Sequence, residues 1–330
     1  MENGVILTGI DGSDPLHFLC TLGILNILNK KFFTKGEGCL PKVAWKNLGK
    51  WRPIFLGIET FDELINSVLD DRESFNDDIL NFEYVKLEKN GSKLFKGLRP
   101  PLAVLRGWIH RSLSNDNDAE YTACLMAETA SEKLKDEKVV DYEVILEKGI
   151  VLDIQAPLDK AAMPTFFDFT SRNAQFLDQL KRIKDSFDVE EIAKELLFGL
   201  FFEDEVRTMG WDITADAPNA LFGDRQKCSK PVVEWLAFRG LPFFPVFGYG
   251  SGLNTTSCRG KRKNGVFLWP IWEIPVFLSR DVVFSLMSYK NIEFLAELER
   301  KRLGIECIFM SKMEKAADGY SGIFAPSSFL

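Results

Sequence analysis

Val5-Ile6-Leu7-Thr8-Gly9-Ile10-Asp11-Gly12-Ser13-Asp14-Pro15-Leu16-His17-Phe18-Leu19-Cys20-Thr21-Leu22-Gly23-Ile24-Leu25-Asn26-Ile27-Leu28 compresses a strand, a turn and a helix into one stretch. Val5 to Thr8 reads as a short strand and Gly9 to Ser13 as the turn. Asp14 supplies a side-chain acceptor at the cap, and Pro15 fits the first helical turn, where its missing N–H costs nothing. Leu16, Leu19, Cys20, Gly23, Ile24, Ile27 and Leu28 fall on one stripe of period 3.6, while Phe18, Leu22 and Leu25 cover the other side. A helix apolar nearly all round belongs at the centre of a fold, and Gly23 is where a neighbour can come close.

Working outward, Lys42 to Trp45 and Trp51 to Ile58 read as strands. Thr60 caps an acidic helix to about Arg72, with Leu64, Ile65, Val68 and Leu69 inward. Phe82 to Leu87 alternates like a strand. Pro100-Pro101 opens a helix to about Arg111, Asn115 to Asp118 is a polar break, and Glu120 to Leu134 is again helical. The charged stretch Lys135 to Lys148 ends at Gly149, ahead of a strand from Ile150 to Ile154, which suggests an N-terminal region 1–149 and a C-terminal region 150–330, or one domain. Thr170 or Ser171 starts a helix bearing Phe176, Leu177, Leu180 and Ile183, and Val189 to Phe202 supplies another. Trp211 to Ala237 reads as irregular. Leu241 to Pro275, with Phe243, Phe244, Phe247, Tyr249, Phe267, Trp269 and Trp272, reads as a twisted aromatic hairpin. Ser279 caps a helix reaching Arg302, Gly304 ends it, and Ile305 to Met310 closes the chain as a strand. The expected class is α+β: mixed helices and short, mostly antiparallel strands with an aromatic-rich C-terminal hairpin.

Composition narrows the function. The 330 residues are 46% hydrophobic and 27% charged, with a net charge of -7 from 41 Lys+Arg against 48 Asp+Glu. This describes a globular chain and excludes a strongly basic nucleic-acid binder, though not a local basic site. Cys20, Cys39, Cys124, Cys228, Cys258 and Cys307 are far apart and form no metal or disulfide pattern, so they read as reduced thiols of a cytoplasmic protein. The start of the chain lacks a basic region, and Asp11, Asp14 and His17 interrupt its apolar stretch. Neither a signal peptide nor a spanning helix is expected, and no membrane partner. Only His17 and His110 are histidines, which argues against histidine-rich metal sites and the common hydrolytic classes.

Two cationic segments stand out. Arg259-Gly260-Lys261-Arg262-Lys263 places four cations in five residues between strand-like arms, where long side chains can reach phosphates and aromatics can stack on bases. The bland alternative is a solvated turn whose charges discourage aggregation. The second segment, Lys93 to Arg111, carries Lys93, Lys96, Arg99, Arg106 and Arg111 beside Trp108 and His110. On a helix Arg99, Arg106 and His110 would share a face, although an ordinary amphipathic surface helix has the same pattern. Asp212, Asp216 and Asp224 could hold Mg²⁺ if they converge, but loop aspartates more often serve turns and caps. Asp11 to Asp14 lacks a phosphate-loop pattern and is read as capping. No cofactor and no metal are expected.

The opening Leu7-Thr8-Gly9-Ile10-Asp11-Gly12-Ser13-Asp14-Pro15-Leu16-His17-Phe18-Leu19, running into Leu22-Gly23-Ile24-Leu25, resembles the N-terminus of type I-U (I-G) CRISPR-associated proteins, of the large-subunit-like or helicase-nuclease-extension families. Trp51-Arg52-Pro53, the Thr170 to Leu177 helix start, Trp235 to Pro245 and Phe267 to Trp272 are similar too. These are packing signatures, so no catalytic residue transfers. The resemblance implies a non-catalytic subunit or accessory of a prokaryotic RNA-guided antiviral complex, heteromeric with other CRISPR-associated proteins. On that reading DNA or RNA is bound through Arg259, Lys261, Arg262 and Lys263 together with Arg99, Arg106 and Arg111. The net negative charge confines such binding to local contacts. The alternatives are a protein-interaction module docking through the Phe243 to Trp272 aromatics without touching nucleic acid, and a Mg-dependent nuclease using Asp212, Asp216 and Asp224.

Overall fold

The computed structural model describes residues 4–36, 38–88, 91–112, 116–129, 139–145, 151–157, 162–170, 176–199, 209–213, 230–249, 252–262, 264–289, 291–315 and 322–330. Its axis is helix α1 (Pro15–Lys35), in which every residue from Pro15 to Asn29 is buried. Asp14 Oδ1 accepts the amides of Leu16 (2.9 Å) and His17 (3.4 Å) at one end. Gly36 closes the other end in the left-handed region, φ 66°, with its amide on the Phe32 carbonyl.

Helix α7 (Pro231–Gly240), buried along its whole length, crosses α1. A Cβ on Gly23 would stand 1.7 Å from the Leu236 carbonyl oxygen, and one on Gly240 would stand 2.3 Å from that of Leu19. The two backbones therefore touch, and Asn26 Nδ2 donates to the Arg239 carbonyl across the same crossing (3.1 Å). The sequence reading left α7 inside an irregular segment. Valines and aromatics on all sides erase the amphipathic stripe by which a helix is recognised, because this one has no solvent face.

On one flank lies the antiparallel sheet β1-β3-β2-β14, formed by β1 (Val5–Ile6), β2 (Lys42–Asn47), β3 (Trp51–Leu56) and β14 (Leu278–Ser279). A second sheet has β12 (Cys258–Arg259), β13 (Val266–Trp272), β15 (Ile305–Lys315) and β16 (Gly322–Phe324) in that order, with β17 (Ser328–Phe329) also on β15. Between the two, Phe18 of α1 stacks on Trp45 (5.9 Å) and packs against Trp269 (5.9 Å), which in turn stacks on Phe267 (4.9 Å). A buried indole N–H gains from an acceptor, which Trp45 and Trp235 lack and two other tryptophans find. Trp269 donates to the Gly12 carbonyl and Trp272 to the Val43 carbonyl, each at 2.8 Å, so the C-terminal strands are bonded to both the turn before α1 and β2.

Further sheets are β5-β4-β7-β8, from β4 (Glu83–Glu88), β5 (Gly91–Lys96), β7 (Val139–Ile145) and β8 (Val151–Pro157); the pair β6 (Met126–Ala127) with β9 (Met163–Pro164); and the hairpin β10 (Val246–Tyr249) with β11 (Gly252–Thr255). Pairing of β7 with β8 runs across position 149/150. The remaining helices are α2 (Phe61–Ser74), α3 (Leu102–Ser112), α4 (Asp116–Leu125), α5 (Phe176–Lys184), α6 (Val189–Ala193), α8 (Arg280–Met287) and α9 (Glu297–Arg302). The protein is thus α+β, with its aromatic cluster on the C-terminal strands. Among the described residues no helix is long and apolar enough to cross a membrane.

Several expectations need correction. The helix expected from Glu120 to Leu134 starts at Asp116 and stops at Leu125, where β6 pairs with β9. The single helix expected from Ser279 to Arg302 is two, α8 and α9, separated by a 3-10 turn at Ile292–Phe294. Of the helix expected from Val189 to Phe202, the described part is a short α6 continued by a π turn, Lys194–Phe198, that ends in a left-handed Gly199; residues 200–202 lie outside the described residues.

Because Gly23 meets backbone, which cannot rotate away, Gly23→Ala is expected to destabilise the fold by about 3 kcal/mol or more. Urea denaturation followed by far-UV circular dichroism measures it, and a variant as stable as the parent would refute the contact.

Candidate functional site

The two cationic segments singled out in the sequence come near enough for the charge of Arg99 to act on Arg262. Arg262, beyond the end of β12, donates Nη2 to Asp168 Oδ2 (2.6 Å) and to the Asp168 carbonyl (2.7 Å). Asp168 is itself held, its Oδ1 accepting from the Thr170 amide (3.1 Å) and hydroxyl (2.5 Å). Burial lowers the Arg262 pKa, Asp168 opposes that, and the nearby charge of Arg99 adds to the lowering. Arg99, exposed just before α3, is thus near enough for its charge to be felt at Arg262, although the two make no direct contact among the described residues. Lys261 is exposed, in a turn closed by the Asn264 amide on the Lys261 carbonyl (2.9 Å).

Not all four loop cations project into solvent, as the sequence reading expected. Arg259 reaches Glu293 (3.4 Å), and Arg262 is held as described. Lys263 and the side chain of Arg111 lie outside the described residues, as do the side chains of Lys93 and Lys96. Arg99 precedes α3 rather than riding on it, because the helix begins only after the proline pair, at Leu102, so it does not share a helical face with Arg106 and His110.

Arg106, on the exposed side of α3, is engaged by Glu128 through Nε to Oε2 (2.9 Å) and a second contact between Nη2 and Oε1. The Glu128 carbonyl packs on Gly248 so closely that a Cβ there would be 2.1 Å away. Glu128 thus abuts β10, whose Phe247 and Tyr249 are 52% and 76% exposed. The other aromatics of the expected stacking or docking ribbon, Phe243, Phe244, Phe267, Trp269 and Trp272, are core residues and offer no surface. Arg106 is thus linked through Glu128 to the hairpin that bears Phe247 and Tyr249. Together with Arg99, Lys261 and Arg262 these residues make up the candidate rim.

A second polar cluster lies under the N-terminus of α1. His17 Nδ1 accepts the Asp11 amide (3.1 Å), which places the neutral ring's proton on Nε2, facing Lys230 Nζ at 3.4 Å. Lys230 also pairs with Asp212 at 3.3 Å, and both are buried. Burial first and Lys230 second push His17 down to about 3, so the ring is neutral. Asp14 keeps partial solvent access, but desolvation and the Asp212 charge raise it to about 7. Deeper still, Glu195 in the π turn accepts the Val233 amide (3.0 Å) and so caps α7 from a distant segment; burial overrides that hydrogen bond and raises its carboxyl to about 8. Glu234 accepts the Met209 amide (2.9 Å), and burial raises it well above the usual carboxylate range.

Chemically, this cluster stores protons near neutral pH and fixes the entries of α1 and α7. Asp11 to Asp14 caps α1, as the sequence implies. Of the aspartates read as a nuclease alternative, Asp212 is committed to the buried Lys230, while Asp216 and Asp224 lie outside the described residues. Among the described residues no group of three or more histidines, cysteines or carboxylates is placed to hold a metal ion. Sequence reasoning missed Glu195, Glu234 and Lys230. The available signal was a lone carboxylate inside an apolar run, as in Val232-Val233-Glu234-Trp235-Leu236, where an ionisable group is seldom left unpaired.

Compared with protein-family profiles, curated proteins and solved structures, the chain gives no match.

Two outcomes are expected. An acid whose folded pKa is raised adds stability below its unfolded value that is lost as pH climbs through the folded one. Glu195→Gln should therefore gain stability relative to the parent by roughly 1.4 kcal/mol per unit above pH 5, levelling near pH 8; a difference that does not vary with pH in urea titrations contradicts the assignment. Arg262→Ala, which strands Asp168, should cost about 2–3 kcal/mol, whereas Lys261→Ala should leave the melting temperature unchanged. Equal melting temperatures for the two variants would contradict the ion pair's role.

Proposed function

We propose that this chain is a non-catalytic subunit or accessory of a prokaryotic CRISPR-type antiviral complex in the cytoplasm, binding single-stranded nucleic acid and partner subunits along the rim from Lys261 to Tyr249. The observation that supports the nucleic-acid part is that Arg99 and Lys261, one from each cationic segment, are exposed and make no ion pair among the described residues, so their charge is available to a phosphate. Phe247 and Tyr249 lie at residues i and i+2 of one strand, so they share a face on which unstacked bases can rest. The resemblance of the α1 region to the type I-U families supports the assignment to such a complex. The anionic balance of the whole molecule fits a subunit that touches nucleic acid locally and takes the rest of its affinity from neighbours.

Arg259 and Arg262 are needed by the fold, so the test falls on residues that are not. Arg99→Ala/Lys261→Ala should weaken binding of single-stranded DNA or RNA at least tenfold and lower the slope of log K against log salt by about 1.4, as expected for two lost single-strand contacts. Phe247→Ala/Tyr249→Ala should weaken binding by a comparable factor while leaving that slope intact. Fluorescence anisotropy across a salt series measures both. Parent protein that ignores oligonucleotides but is retained on a partner subunit would support the protein-interaction alternative, and unchanged binding in both variants would remove the rim from the proposal.

A further inference from the structure

Strands β2 and β3 pair in a register that sets Lys46 directly opposite Arg52. Directly opposed residues of an antiparallel pair share a face with their Cβ atoms about 5 Å apart, and like charges in that position cost stability. The pairs on either side, Trp45 with Pro53 and Asn47 with Trp51, belong to the other face, which turns Trp45 into the core. Lys46 and Arg52 are both half-buried, and the side chain of Lys50, in the turn that joins the two strands, is 61% exposed.

The chain does little to offset this charge. Lys46 makes no ion pair among the described residues. Arg52 donates Nη1 to the Ile10 carbonyl (2.6 Å), and its other edge, Nε with Nη2, makes no bond among the described residues. That edge is the fork that takes an oxyanion through two parallel hydrogen bonds. Lys50 stands 3.8 Å from Asp11 Oδ2, a long contact, while Asp11 Oδ1 already accepts the Ser13 amide (3.1 Å) and hydroxyl (2.9 Å). Ile10 and Asp11 are neighbours in the chain, so Arg52 and Lys50 converge on one turn, the turn that leads into α1. Three cations gather there around a single carboxylate.

We propose that the β2–β3 hairpin is a second nucleic-acid contact, in which a backbone phosphate lies on the Nε and Nη2 edge of Arg52 with Lys46 and Lys50 beside it. Charge complementarity identifies the occupant. A phosphate offsets the repulsion between Lys46 and Arg52 that no carboxylate of the chain removes, and its oxygens can serve the fork and an ammonium together. A strand of linked phosphates also releases counterions at each cation it meets, which a lone small anion does not. The inference rests on the reading that this chain meets nucleic acid, but it shares no residue with the rim.

Substitution at Lys46 separates binding from folding. Lys46→Glu converts the repulsion with Arg52 into attraction, so the melting temperature of the full chain should rise by about 1–2 °C. Its affinity for fluorescein-labelled oligothymidylate or oligouridylate, read by fluorescence anisotropy, should fall at least tenfold. Lys50→Ala should weaken binding about threefold and lower the slope of log K against log salt by about 0.7, with the melting temperature unmoved. A Lys46→Glu variant that melts below the parent, or binds as the parent does, overturns the proposal. If Arg99→Ala/Lys261→Ala loses the oligonucleotide while Lys46→Glu keeps it, the hairpin fails and the rim stands; the reverse pattern supports the hairpin and removes the rim. Parent protein that ignores both oligonucleotides overturns the hairpin together with the functional reading. An oligoglutamate peptide bound by the parent and lost in Lys46→Glu, with oligonucleotide binding unchanged, would give the surface to an acidic protein and refute the phosphate.

Discussion

Two glycines set the distance between α1 and α7, and most of the molecule is arranged around that distance. With Gly23 under the Leu236 carbonyl and Gly240 under that of Leu19, the helix backbones meet without intervening side chains. This lets Phe18 reach the Trp45 and Trp269 rings on one side of α1. On the other side of the crossing, Arg239 lies over the Phe75 ring (4.8 Å to its centre) while bonding Asp71 and Tyr121. Neither layer would close if the crossing were a side chain wider.

Charge is handled differently inside and outside. In the interior, carboxyls such as Glu195 and Glu234 accept amide hydrogens but face too little water to ionise at ordinary pH, and His17 is held neutral by burial and Lys230. At the surface, Arg106, Arg259 and Arg262 are paired with carboxylates, while Arg99 and Lys261 are exposed and make no ion pair among the described residues. A chain with net charge -7 therefore keeps its positive surface in a few concentrated places, which suits recognition of a short anionic segment better than tracking along a continuous backbone.

The sequence disclosed the local part of this arrangement. Asp14, Pro15 and the all-round apolar pattern marked α1 as central, Gly23 as a close-approach point and Thr60 as the cap of α2, whose hydroxyl accepts the Glu63 amide (3.1 Å). What it could not disclose was long-range. The α7 helix hides because burial on every side removes periodicity. Asp168 and Glu293 give no sign in sequence that they would claim Arg262 and Arg259. The aromatic block from Phe243 to Trp272 was legible as a hairpin-rich region, but its hydrophobicity alone did not separate the core rings from the exposed Phe247 and Tyr249. That the charge of Arg99 reaches Arg262 likewise depends on the fold between them.

The π turn at Lys194–Phe198 gives the N-terminal strand an unusual anchor. The Leu196 carbonyl receives the Gly9 amide (2.9 Å), the Leu197 carbonyl receives the Thr8 hydroxyl (2.6 Å), and the Glu195 carboxyl on the same turn reaches the first coil of α7. One widened loop of helix is therefore a hub with three spokes. The chain just after β1 and the first coil of α7 are thereby tied to the same five residues, and the second tie is made by a carboxyl that burial keeps protonated.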